Sequence, residues 1–150
     1  MKLTLYYAPV ACSLVPLVAL HESGADFDVK PISLKNKQQH DAEYLRINPK
    51  ARYCGVPGSE ESIRKLALED VIKNFRIVNG MLAGKEWTFD HWTAVDAYLF
   101  WVWRRFGVFK IEIPPFPNYA DHGERMMKRD SVKRALAFER EVQAQAEKAA

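Results

Sequence analysis

The sequence predicts a mixed chain, with a short α/β segment at the N-terminus followed by an all-α remainder. Three observations carry this. Apolar and polar residues alternate from Lys2 to Tyr7, the period of a strand. Leu14, Leu17, Val18 and His21 then fall on one side of a helix over residues 13–23. After the breaker cluster Tyr53-Cys54-Gly55-Val56-Pro57-Gly58-Ser59, the apolar period is helical through the rest of the chain.

In order, the first strand places Leu3, Leu5 and Tyr7 on one face and Lys2, Thr4 and Tyr6 on the other. The helix that follows tolerates Pro16 because it lies in the first turn, where a missing N–H costs nothing. Gly24 ends that helix by a left-handed turn. Phe27, Val29 and Ile32 mark a second strand, with Pro31 at its far end. Strand, helix and strand form one parallel unit, right-handed by default. Residues 35–49 are polar, with a helical turn around Asp41 to Arg46. Ser59, with Glu60 and Glu61 behind it, caps a long helix carrying Ile63, Ala67, Val71, Phe75, Val78 and Leu82 on one stripe. Gly84 stops it. Thr93 and Asp96 have the spacing of a capping box and open a helix that is apolar nearly all round, hence central and buried. Pro114, Pro115 and Pro117 break the chain before helices over residues 118–128 and from Ser131 onward, the tail from Gln143 fraying. The expected division is 1–53 for the α/β part and 59–150 for the helical part.

Composition excludes several classes of function. The 150 residues hold 22 Lys plus Arg against 19 Asp plus Glu, a formal charge of +3, and the basic residues are scattered. That is no nucleic-acid-binding face. Two cysteines, Cys12 and Cys54, make neither a disulfide framework nor a metal site. The N-terminus lacks a long apolar stretch and the run from Ala97 to Trp103 is too short to cross a bilayer. A cytoplasmic protein without metal, membrane or nucleic-acid partner is expected.

Cys12 is the residue with chemical potential. It stands between a strand and a helix, where a thiol faces the unpaired N–H groups and positive dipole end of the helix, a setting for sulfur nucleophiles. The competing reading is a small buried hydrophobe, since free cysteines are among the most buried residues. Trp92, Trp101 and Trp103 sit at helical spacing and read as core packing.

Residues 6–27, Tyr-Tyr-Ala-Pro-Val-Ala-Cys-Ser-Leu-Val-Pro-Leu-Val-Ala-Leu-His-Glu-Ser-Gly-Ala-Asp-Phe, resemble the bacterial, cysteine-containing (beta-class-like) glutathione S-transferases. So do Ser-Leu-Lys-Asn-Lys at 33–37 and Tyr-Leu-Arg-Ile-Asn-Pro-Lys at 44–50. Gly-Lys-Glu-Trp at 84–87 and Thr-Ala-Val-Asp-Ala-Tyr-Leu-Phe at 93–100 are similar to the family's helical domain. The resemblance implies a thioredoxin-like domain, here truncated to β-α-β, followed by an all-helical one, with glutathione bound as co-substrate. It implies Cys12 beside the glutathione sulfur as the catalytic residue and Lys37 at the glycine carboxylate. Tyr7 and Ser13 would assist through their hydroxyls, and Phe106 and Phe109 would contact the electrophile. A homodimer is implied as well.

The chain also departs from the family. The Val-cis-Pro turn, two antiparallel strands and the helix opening with an acidic-Ser pair do not follow Lys50. Val56-Pro57 and Glu61-Ser62 are the nearest remnants. Val10 replaces a small residue or glycine, and Leu17 stands where histidine is common. A first strand without its neighbours exposes an edge that invites pairing with another chain or cover by a rearranged segment. Three functions follow from the resemblance: conjugation of glutathione to small electrophiles, glutathione-dependent thiol–disulfide exchange through Cys12, or a non-catalytic binding and dimerisation role.

Overall fold

The computed structural model describes residues 3–48 and 60–148. Within them lie β1 (Leu3–Tyr7), α1 (Leu14–Ser23), β2 (Phe27–Pro31), α2 (Ala42–Ile47), α3 (Glu60–Met81), α4 (Ala94–Val108), α5 (Pro117–Lys128) and α6 (Asp130–Lys148). They fall into two compact units, one within Met1–Cys54 and Asp130–Ala150, the other within Gly55–Arg129. The last helix, expected with the helical part, therefore groups with the N-terminal segment. Val56-Pro57, Ser59 and the side chains of Glu61 and Ser62 lie outside what is described.

In the first unit β1 and β2 pair in parallel, Leu3 opposite Phe27 and Tyr7 opposite Pro31, the predicted β-α-β. Gly24 ends α1 at φ 64°, as read from the sequence. Leu3 and Tyr7 bond to the β2 side. The alternation of a parallel ladder turns the backbone groups of Thr4 and Tyr6 to the other edge. Among the described residues the sheet has two strands. Such a sheet cannot bury both faces itself, and α1 packs against α6. Leu14, Val15, Leu17 and Val18 of α1 and Val132, Ala135, Leu136 and Val142 of α6 are buried. Ser131 at the start of α6 donates a hydrogen bond to Glu22, and Arg134 reaches the His21 carbonyl at 3.4 Å. Burial, and then the Arg134 cation, lower the His21 imidazole below its ordinary range. The tail beyond Gln143, expected to fray, is helical as far as Lys148.

In the second unit Phe75, Leu82 and Tyr119 form the core, with Val71, Val78, Leu99, Val102, Trp103, Phe106, Ile113 and Phe116 packed around them. Phe75 makes edge-to-face contacts with Phe106 and Tyr119, both at 4.8 Å, and with Phe116 at 5.7 Å. The helices α4 and α5 approach closely at Gly123, where an added Cβ would stand 2.5 Å from the Trp103 ring. Asn79 of α3 supplies the cap that α5 lacks in its own sequence. Its Oδ1 accepts from the Tyr119 N–H at 3.2 Å, and its carbonyl accepts from Asn118 Nδ2 at 3.0 Å. The expectation that α4 is buried all round is corrected. Asp96, Ala97 and Phe100 are buried, but Val95 and Tyr98 are exposed, so one face of an apolar helix remains on the surface.

The capping box of α4 forms as predicted, and Asp96 does more than cap. One carboxylate oxygen accepts from the Thr88 N–H at 2.9 Å, the Thr88 hydroxyl at 2.7 Å and His122 Nε2 at 3.0 Å. The other accepts from the Thr93 N–H at 2.8 Å. Burial opposes the charge, yet the hydrogen bonds from His122, Thr88 and Thr93 outweigh it and hold the acid well below the usual carboxylate range. A depressed native pKa stabilises the fold fully above the unfolded value, near pH 4, and that contribution is lost as pH falls below it. Asp96→Asn is accordingly expected to cost about 2–3 kcal/mol at pH 7. It should also flatten the loss of stability below pH 4, as read from urea unfolding midpoints between pH 7 and pH 2. Equal acid slopes in both proteins would contradict this assignment.

Candidate functional site around Cys12

The two strands point their C-terminal ends the same way, and Tyr7 stands opposite Pro31. The connections that follow them, residues 8–13 and 32–41, therefore leave from one end of the sheet, where open α/β units place ligands. The first carries Tyr7, Cys12 and Ser13 on or beside it; the second carries Lys37. The structure thus brings these sequence-derived candidates to one end of one unit.

Cys12 is exposed, which removes the reading of a buried hydrophobe. Its carbonyl accepts from the Val15 N–H at 3.0 Å, so it sits in the turn that leads into α1, one residue before the Ser13 cap. Ser13 clasps the loop onto itself, its hydroxyl accepting from the Ala8 N–H at 3.0 Å and donating to the Ala8 carbonyl at 3.1 Å. That side chain is engaged in shaping the loop. Ala11 N–H to the Ala8 carbonyl, at 3.2 Å, closes the turn between them. Lys37 is exposed, at φ 57°, with its backbone in a short 3-10 turn over Gln38–His40. Gln38 Oε1 accepts from the Ser33 N–H at 2.7 Å and steadies that turn.

Tyr7 is placed differently from expectation. It is fully buried, and its hydroxyl donates to Glu139 Oε2 at 2.8 Å, while its ring meets Phe138 edge-to-face at 5.5 Å. The phenol is thus committed to α6. The same Glu139 oxygen accepts from the Val10 N–H at 2.7 Å. Val10 has φ 60°, a left-handed conformation that costs a non-glycine residue about 1–2 kcal/mol. The two hydrogen bonds to Glu139, one buried and one half-buried, offset that strain at about 1 kcal/mol each. Glu139, absent from the sequence-derived candidates, is the residue that holds this loop. Its signal was present: Val132, Ala135, Leu136, Glu139 and Val142 share one helical stripe, and a single glutamate on an apolar stripe needs buried donors.

Phe106 and Phe109 lie in the second unit. Phe106 packs on Phe75 and borders an open cavity of about 690 Å³, shared with Trp103, Ile111, Ile113 and Met127. Phe109 is exposed, with the Arg105 guanidinium 5.2 Å from its ring and 5.1 Å from that of Trp101. Among the described residues there is no group of three or more His, Cys, Asp or Glu suited to a metal. No described helix is long and apolar enough to cross a membrane.

Comparison with known proteins finds similar sequences and folds. The family profile for the N-terminal domain of glutathione S-transferase matches residues 1–61. The glutathione S-transferase GstA of Escherichia coli O157:H7 is 23% identical over 196 residues, covering 90% of this chain and 98% of that protein. Among solved structures, a glutathione S-transferase from Xylella fastidiosa superposes with a TM-score of 0.80 at 17% identity, covering 91% of this chain and 98% of that one. A sphingomonad glutathione S-transferase complexed with glutathione gives 0.71 at 20% identity, over 93% and 98% of the two chains. The fold is that of glutathione transferases, a small thioredoxin-like sheet segment and a helical remainder.

The Ser13 clasp can be tested directly. Ser13→Ala leaves the Ala8 amide and carbonyl without this partner and should lower stability by about 1 kcal/mol, measured as a shift in denaturant midpoint at constant m-value. An unchanged midpoint would show that the clasp does not hold the loop.

Proposed function

We propose that this bacterial-type glutathione-transferase-like protein binds glutathione at the loop ends of β1 and β2 and joins it to small electrophiles. The exposed thiol of Cys12, in the turn that leads into α1, carries the reading. In that role Cys12 stands beside the glutathione sulfur and shares a hydrogen bond with it. Lys37 offers a point charge on a flexible stem to the glycine carboxylate. The reaction itself asks little covalent work of the protein. The glutathione thiol gives its proton to solvent, its sulfur forms a C–S bond to the electrophile, and the leaving group departs with the electron pair. Positioning and stabilisation of the sulfur charge supply the rate. Phe106 and Phe109 are assigned to the electrophile, whose chemistry should be apolar and aromatic to suit such walls. The same reading makes the protein a cytoplasmic homodimer.

A second reading is a non-catalytic glutathione-transferase-like binding protein. It is favoured by the two-stranded sheet among the described residues, since fold resemblance does not establish activity. Retention on immobilised glutathione separates the two. The wild-type protein should be retained and eluted by free glutathione. Cys12→Ala should lose retention, and conjugation to a chloronitrobenzene should fall about a hundredfold. A wild-type protein that passes through unretained would favour the binding role.

A further inference from the structure

We infer that Glu139 is the positioning residue for the loop carrying Cys12, so that the C-terminal helix belongs to the thiol site without contributing a reacting group. The inference rests on Cys12 being the working thiol. Val10 lies two residues before Cys12, and a β-branched residue at φ 60° holds that conformation only where its surroundings impose it. The imposing contact comes from 129 residues away, the Val10 N–H donating to Glu139 Oε2 at 2.7 Å. Tyr7, at the other end of the same turn, donates to the same oxygen at 2.8 Å. One buried oxygen, on a residue 1% exposed, therefore pins both the end of β1 and the middle of the loop. An apolar residue would satisfy the rest of the α6 stripe better, and a buried carboxyl is retained at a cost. What it provides here is an acceptor that a hydrocarbon side chain lacks. With Val10 fixed, the Ala11-to-Ala8 turn and the Ser13 clasp define the remaining path. Cys12 is then held just before α1 with its side chain outward.

The test compares wild type, Glu139→Gln, Glu139→Ala, and Glu139→Ala combined with Val10→Gly. All carry Cys54→Ser, leaving Cys12 as the single thiol. Glutamine keeps an acceptor oxygen; alanine removes it; the glycine relieves the backbone strain that alanine leaves uncompensated and should bring the melting temperature back toward wild type. Alkylation of Cys12 by iodoacetamide should slow about threefold in the double variant, the scale of a helix-terminus contribution, and recover in Glu139→Gln. Glutathione binding should weaken about tenfold in the same order. Equal alkylation rates in wild type and the folded double variant would overturn the inference, because a purely structural role is repaired by the glycine. If neither alanine variant folds, amide exchange in the wild type decides: slow exchange at Val10 supports the clamp and exchange at the rate of an open loop overturns it. Should the wild type not bind glutathione at all, the proposed function fails, and the alkylation order still decides the role of Glu139.

Discussion

The hydroxyl of Tyr7 and the carboxyl of Glu139 need each other, and the first unit is built around that need. A phenol buried at the end of a strand requires a hydrogen-bond partner, and a glutamate on an apolar helical stripe requires donors. Their contact at 2.8 Å satisfies both and ties β1 to α6 across most of the chain. A two-stranded parallel sheet is marginal by itself, so this tie, with the apolar faces of α1 and α6 beneath it, is what keeps β1 in place. Everything proposed for Cys12 depends on β1 ending where it does.

The second unit uses the same device with different residues. Asp96 gathers Thr88, Thr93 and His122 around one buried carboxylate, fixing where α4 begins and where α5 lies against it. Asn79 does for α5 what no side chain at its own N-terminus does. Buried polar groups with several donors specify geometry more tightly than apolar contacts, which tolerate sliding. In each unit, the apolar residues supply the bulk of the packing and one acid supplies the register.

Features whose cause lies within a few residues were legible in the sequence. Alternation gave β1, the left-handed glycines at Gly24 and Gly84 ended their helices, and Thr93 with Asp96 announced α4. Features decided by distant partners were not. The resemblance implies a Tyr7 hydroxyl that assists the thiol, and nothing near Tyr7 in sequence reveals its acceptor 132 positions away. The association of α6 with the N-terminal segment has the same cause, since its stripe shows that it packs but not against what. The surface face of α4 is not legible in the sequence, because hydropathy counts Val95 and Tyr98 as apolar wherever they stand. Of the candidate site, the local part, Cys12 and Ser13 on one loop, was readable; Glu139, which shapes that loop, was readable only as an anomaly.

The most direct measurement is a titration of isotope-labelled protein with glutathione, followed through backbone amide resonances. If glutathione docks at the loop ends of the two strands, the amides of Ala8 to Ser13 and of Ser33 to Gln38 shift together and saturate with one dissociation constant. The Phe75–Tyr119 core should stay unmoved. Shifts confined to the helical unit, or none at millimolar glutathione, would contradict the placement of the thiol site.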